Sequence, residues 1–322
     1  MVTIKPVKEE RQQGTSEMWK DHKGNAYPMR NGVIRIVSEE DYADNFGFQW
    51  NRFAKVQMDR EGKNLQISKL RFFSETEWDK EDLTGKNILE VGCGAGRFSK
   101  VVMEYTRANL FSIDLSEAVE ANYRNNFQYG KRLKIFQASI YDMPFADESF
   151  DKIFCFGVLQ HTPDFKKSIF SLASKVKPGG EVVVDFYPIT GWWTKIHAKY
   201  IFRPFTKKMS NEKLLKRIEK NAGWLMKLYY FFDKIKLGRI LNRFLPIPDI
   251  KHTIPGGLDK KELREWVILD TFDMFSPEYD NPQRISTVKK WFEEAGLNVS
   301  FAGFVHFDNA KAAVVKATRP EK

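Results

Sequence analysis

The sequence predicts an α/β chain built on an open, mainly parallel sheet with helices on both faces. Three observations carry this. The apolar run Ile88-Leu89-Glu90-Val91 breaks into glycines at alternate positions, Gly92, Gly94 and Gly96. A second apolar run ends in an acid, Asp114. Further strand-like runs alternate with helical segments as far as Phe186, the pattern of parallel strands joined by crossover helices.

The glycine loop is steric before it is chemical. A buried strand ending in Gly92, Gly94 and Gly96 lets the backbone turn sharply and approach a ligand where a Cβ would intrude. Asp114, at the tip of the next strand, is placed to accept hydrogen bonds from ribose hydroxyls. The spacing G-x-G-x-G is shorter than the G-x-G-x-x-G of dinucleotide sites and leaves no pyrophosphate cradle at the helix N-terminus. A nucleoside without phosphates fits better, and S-adenosylmethionine is the expected cofactor.

The remaining elements follow in order. Glu117 to Gln128 reads as a helix and Leu133 to Gln137 as a strand, followed by the loop Ala138-Ser139-Ile140-Tyr141-Asp142-Met143-Pro144-Phe145. A fourth strand near 152–156 runs into Gly157-Val158-Leu159-Gln160-His161-Thr162. Val176-Lys177-Pro178-Gly179-Gly180 closes an amphipathic helix and launches a strand at 181–186, and the last pair, near 298–303 and 311–317, is antiparallel.

Over residues 86–187 these blocks resemble the class I S-adenosylmethionine-dependent methyltransferases. That resemblance implies a Rossmann-like seven-stranded sheet, methyl transfer as the activity, and cofactor contacts from Glu90, Gly92, Cys93, Gly94, Gly96, Asp114, Leu115, Ser139, Ile140 and Phe156. Ser139 stands where the family often places an acid against the adenine amino group, with Ile140 stacking on the ring. Residues 259–322 are expected to complete this core.

Two flanking elements carry resemblances of their own. Tyr27-Pro28-Met29-Arg30-Asn31-Gly32-Val33-Ile34-Arg35-Ile36-Val37 resembles the tail of a small Trm112-like zinc ribbon, but Lys20 and Lys23 stand where cysteines would bind the metal. Residues 1–40 are therefore expected to be a metal-free module, a short hairpin packed on the main domain. Residues 41–85 are read as a helical leader. Tyr42 to Arg52 and the element Leu269-Asp270-Thr271-Phe272-Asp273 resemble a bacterial methyltransferase subgroup linked to surface-glycan or lipid-sugar modification.

Composition bounds the rest. A chain of 322 residues with 42% hydrophobic content can bury one sizeable core with appendages. No run approaches a membrane span and Met1 to Glu10 is too polar for a signal peptide, so a cytoplasmic location is expected. Cys93 and Cys155 suggest neither a disulfide framework nor a metal site.

The segment 188–258 is a long insertion. Within Trp192 to Arg243, fourteen Lys or Arg stand against three acids, a net +11 in a chain whose total is +10. Its apolar residues recur at helical spacing through Leu214, Leu215, Ile218, Ala222 and Leu225, as expected of two or three amphipathic helices forming a lid. Three readings of the charge remain open: a solvated outer face, an anionic membrane surface or lipid-linked sugar met through 192–243, and nucleic acid. Nucleic acid is disfavoured as methyl acceptor, because Phe156-Gly157-Val158-Leu159 stands where base-amino methyltransferases carry Asn/Asp-Pro-Pro-aromatic and no Pro-Cys nucleophile occurs.

Methyl transfer is an in-line displacement, so alignment supplies much of the acceleration and one proton must leave the acceptor. His161, in the loop after the fourth strand, is the first candidate base. Asp270 and Asp273, three apart, share a face if helical and could bind sugar hydroxyls or take the proton, or instead cap a helix or pair with basic residues. His306 is expected to be a partly buried strand residue, and Asp185 and Tyr187 substrate contacts at the sheet edge. The expected acceptor is a hydroxyl of a glycan, glycolipid or related metabolite. The alternatives are N-methylation of a small amine or amino sugar, and a cofactor-binding interaction module that does not catalyse.

Overall fold

The structure, a computed structural model, describes residues 5–8, 17–36, 43–59 and 66–321. Val37, Tyr42 and the parts of 1–40 beyond those ranges lie outside the described residues. In chain order the elements are β1 (Lys5–Lys8), β2 (Glu17–Lys20), β3 (Ala26–Arg30), β4 (Val33–Arg35), α1 (Asp44–Arg52), α2 (Ile67–Thr76), β5 (Asn87–Val91), α3 (Arg97–Tyr105), β6 (Asn109–Asp114), α4 (Ala118–Asn126), β7 (Leu133–Gln137) and β8 (Phe150–Cys155). There follow α5 (Phe165–Lys175), β9 (Val176–Phe186), α6 (Ala198–Thr206), α7 (Asn211–Phe232), α8 (Gly238–Asn242), α9 (Ile250–Thr253), α10 (Lys260–Phe275), α11 (Ile285–Glu294), β10 (Asn298–Phe307) and β11 (Ala310–Thr318).

Among the described residues eleven strands form one sheet, in the order β1-β2-β3-β4-β7-β6-β5-β8-β9-β11-β10. The seven strands from β5 onward fall close to the predicted positions. β7, β6, β5, β8 and β9 run parallel, and β11 is antiparallel to both β9 and β10.

The expected count of seven is corrected by the N-terminal strands. They are no separate hairpin: β4 joins β7 in parallel through Ile34↔Phe136 and Arg35↔Gln137. The physical reason is that β7 would otherwise be an open edge, and Val33 and Ile34 bury fully against it. The β3–β4 turn is Asn31-Gly32 with φ of 52° and 75°, the left-handed pair whose twist matches a two-residue hairpin. A second difference lies at β9. It begins at Val176, because α5 ends at Lys175 and Val176 pairs at once with Phe150 across a register shift.

Consecutive strand residues feed opposite faces. Leu89, Phe111, Phe136 and Ile153 pack with Ile169 and Leu172 of α5 and Val288 and Phe292 of α11. Ile88, Leu110 and Phe154 pack with Phe72 of α2 and Val101 and Val102 of α3. The insertion is helical as expected. Leu214, Leu215, Ile218 and Ala222 of α7 bury against Ile268, Leu269 and Phe272 of α10, which fixes α10 over the C-terminal ends of the parallel strands.

Candidate functional site

The sheet's strand ends open into a cleft. β5 supplies Val91 and the loop Gly92, Cys93 and Gly94; β6 supplies Ile113, Asp114 and Leu115; the segment after β7 supplies Ala138 and Ile140. Phe156, Gly157, Val158, His161 and Thr162 follow β8, and Phe46, Trp50 and Phe53 of the α1 region close the cleft from above.

Gly92 and Gly94 have φ of +79° and +50°, a region L side chains rarely adopt. A Cβ on Gly94 would stand 3.2 Å from the Trp50 Nε1, whereas one on Gly92 would collide with Val158 at 2.1 Å. Gly96 has a third purpose. Its Cβ would fall 2.2 Å from Asn122 Oδ1, so this glycine lets α3 approach α4 and does not line the cleft. Glu90 also lies behind the loop. One of its oxygens accepts hydrogen bonds from Ser112 Oγ at 2.6 Å and from Ser99 Oγ, and burial pushes its pKa up to about 7.

Asp114 faces the cleft with its carboxylate already aimed. Oδ2 accepts the Gly94 N–H at 2.8 Å, and Oδ1 accepts the Ser116 N–H at 2.9 Å and its hydroxyl at 2.7 Å. Burial raises its pKa, against the lowering effect of these hydrogen bonds. Cys93 lines the cleft with its thiol pushed well up by burial, which makes it a shape-fitting residue rather than a nucleophile. Ser139 lies just outside the lining, and its hydroxyl oxygen accepts the Tyr141 N–H at 3.2 Å in a local turn.

His161 is buried and lines the cleft. Its Nδ1 is 3.0 Å from the Tyr279 carbonyl oxygen, which can only accept. Nδ1 therefore carries the hydrogen, and Nε2 is left as a lone-pair nitrogen with no partner among the described residues. Desolvation holds the imidazole pKa below its usual 6.5, so the ring is a neutral base at physiological pH. Phe46 and Tyr187 rings, 5.1 and 5.5 Å away, fix its plane.

Asp270 and Asp273 do share a face of α10, but they separate in environment. Asp273 lines the cleft, accepting the Tyr187 hydroxyl at 2.9 Å and the Gln49 amide at 3.4 Å. Asp270 does not line it. Desolvation and the neighbouring Asp273 push its pKa up to about 8, so it holds a proton at neutral pH. Neither is a helix cap, since α10 is capped by Asp259.

Asp185 is no substrate contact. It is buried, ion-paired with Arg71, and accepts the Gly157 N–H, while Arg71 also holds Glu75 at 2.8 Å. Tyr187 contacts Asp273, and its ring lies under Lys199 Nζ at 4.4 Å. His306 is exposed on β10 opposite Lys311 and away from the cleft, contrary to the expected partial burial.

Three contributors escaped the sequence reading. Phe46 and Trp50 lie within the Tyr42–Arg52 segment read only for its resemblance, although their i,i+4 spacing is a helical-face signal. Arg97, the first residue of α3, enters the cleft beside the Phe98 ring at 4.4 Å. Desolvation lowers its pKa to about 10, still cationic at neutral pH, and among the described residues its guanidinium has no hydrogen-bond or ion-pair partner.

Residues 89–184 match the family described as a methyltransferase domain. A tRNA U34 carboxymethyltransferase of Nautilia profundicola is 32% identical over 112 residues, 34% of this chain and 37% of that protein. A ubiquinone biosynthesis O-methyltransferase of Aromatoleum aromaticum is 35% identical over 104 residues, 31% of this chain and 43% of that protein. Magnesium protoporphyrin IX methyltransferase from Synechocystis aligns with a TM-score of 0.48 at 16% identity, over 87% of this chain and 96% of that one. The chain spans between about a third and two thirds of the length of the curated relatives it matches.

Proposed function

We propose that this chain, whose residues 89–184 match the family described as a methyltransferase domain, is a class I S-adenosylmethionine-dependent methyltransferase that methylates a hydroxyl of a glycan, glycolipid or related metabolite. The observation that carries the reading is the tautomer of His161: Nδ1 is committed to the Tyr279 carbonyl, leaving Nε2 as a buried base without a partner among the described residues, in the same cleft as Asp114.

The residues present fit the cofactor. Asp114 has its oxygens oriented by Gly94 and Ser116 with lone pairs left for a ribose diol. Val91, Leu115 and Ile140 offer an apolar wall for the adenine. Arg97, cationic and in the cleft, matches the carboxylate end. When bound, the cofactor supplies a methyl group on a positively charged sulfur that leaves as a neutral thioether.

The chain's own part is positioning and proton removal. His161 Nε2 accepts the hydroxyl proton as the acceptor oxygen attacks, and the Tyr279 carbonyl steadies the imidazolium that forms. Asp273, held by Tyr187 and Gln49, offers a fixed carboxylate to neighbouring acceptor hydroxyls. Protonated Asp270 is a poor base at neutral pH. Relatives named for O-methylation in ubiquinone biosynthesis support oxygen as the acceptor atom. Relatives named for tRNA U34 carboxymethylation carry the matching segment with a different acceptor, so the domain alone does not choose it.

The test is release of S-adenosylhomocysteine when the protein is given S-adenosylmethionine and bacterial extract split into lipid, polysaccharide, soluble-metabolite, nucleic-acid and protein fractions. Release with the lipid or polysaccharide fraction, lost in His161→Ala, is the expected result. Release with the nucleic-acid fraction alone, or turnover unchanged in His161→Ala, would overturn the reading.

A further inference from the structure

The insertion turns its apolar side chains outward. Trp192 is 79% exposed, Phe205 69%, Leu237 65% and Phe231 62%, with Ile201 and Ile240 also open to solvent. Helix α6 is inverted. Its charged residues point inward, Lys199 pairing with Asp280 at 2.8 Å and Arg203 reaching the Glu278 carbonyl, while Ile201, Phe202 and Phe205 face out. A surface helix in water has the opposite pattern.

The segment before α6 and the end of α8 are held side by side. Arg243, at the end of α8, bonds the carbonyls of Trp193 and Ile196, and its own carbonyl accepts the Ala198 N–H, so α8 and the start of α6 form one face. Scattered exposed apolar side chains need no explanation, but a contiguous set of this size does. Among them stand exposed cations, Lys195, Lys208, Lys234, Lys236 and Arg239, in a segment that carries the chain's whole net charge.

We propose that this face docks on an anionic lipid bilayer, with the aromatic and aliphatic side chains at headgroup depth and the lysines and arginine against lipid phosphates. Charge complementarity selects this occupant. A second copy meeting the same face would set its five exposed cations against five more. Nucleic acid would satisfy the cations but leave Ile201, Leu237 and Ile240 in water. Contact is peripheral, since no helix among the described residues is long and apolar enough to cross a membrane. Docking requires nothing of the acceptor in the methyl-transfer reading and stands or falls apart from it.

The test is flotation of the full chain with vesicles of phosphatidylcholine alone or mixed with phosphatidylglycerol. The protein should float with the mixed vesicles, less so as salt rises, with tryptophan emission shifted to the blue. A combined Trp192→Ser, Phe205→Ser and Leu237→Ser variant should bind at least about tenfold more weakly. Its thermal midpoint and S-adenosylhomocysteine affinity should be unchanged, which separates loss of docking from loss of fold. Three results would overturn the proposal: no flotation with either vesicle, undiminished flotation of the variant, or self-association in sedimentation velocity that the variant abolishes while vesicle binding is absent.

Discussion

Replacing Glu90 by Gln should shift the balance of stability in the variant's favour as pH rises. Glu90 is 1% exposed, and desolvation raises its carboxyl from 4.5 to about 7. One oxygen is held by Ser99 and Ser112 and the other has no partner among the described residues. A folded-state pKa above the unfolded one means that native Glu90 holds a proton the unfolded chain has released. Its favourable contribution is complete below 4.5 and is lost as pH rises through 7. Between about pH 5 and pH 8 this residue alone should remove roughly 2 to 3 kcal/mol from the wild type. Glutamine has no proton to lose and keeps an acceptor oxygen for the two serines. Urea unfolding of both proteins at the two pH values measures this directly, because other titrating groups cancel in the difference. A wild-type-minus-variant difference that is the same at both pH values would refute the argument.

His161→Ala should lower turnover by about a hundredfold or more, with the affinity for S-adenosylhomocysteine measured by calorimetry nearly intact. With its pKa held below 6.5, His161 should give the wild type a rate that is flat through neutral pH and falls only at lower pH. Asp114→Asn should weaken S-adenosylhomocysteine binding by roughly ten- to a hundredfold in the same titration, the worth of hydrogen bonds to a charged acceptor. Gly96→Ala, at φ +83° with a Cβ 2.2 Å from Asn122 Oδ1, should cost at least about 2 kcal/mol in urea unfolding through left-handed strain and overpacking.

Much of the core was legible because its signals are local. The seven strands, the turn at Gly92 and Gly94, Asp114 and the position of His161 all lie where chain order and glycine spacing put them. What was not legible depends on which surfaces meet in three dimensions. Nothing near Val33 or Ile34 in the sequence says that β4 will add to the edge of β7. Gly92 and Gly96 read as ligand clearance, yet Val158 and Asn122 are what their missing side chains make room for. Asp185 looked like a contact at a sheet edge until Arg71, from a helix 114 residues away in sequence, claimed its carboxylate. Asp270 and Asp273 are equal in sequence pattern and unequal in place, one protonated behind the cleft and one held inside it.

The most direct test of the central claim is to follow a deuterated methyl group from S-adenosylmethionine and locate it in the product by fragmentation mass spectrometry. The account predicts the label on an oxygen of a lipid or polysaccharide component, with S-adenosylhomocysteine formed in equal amount and both formed at least about a hundredfold more slowly by His161→Ala. Label on nitrogen, or a protein that binds S-adenosylhomocysteine yet transfers no label to any fraction, would contradict it.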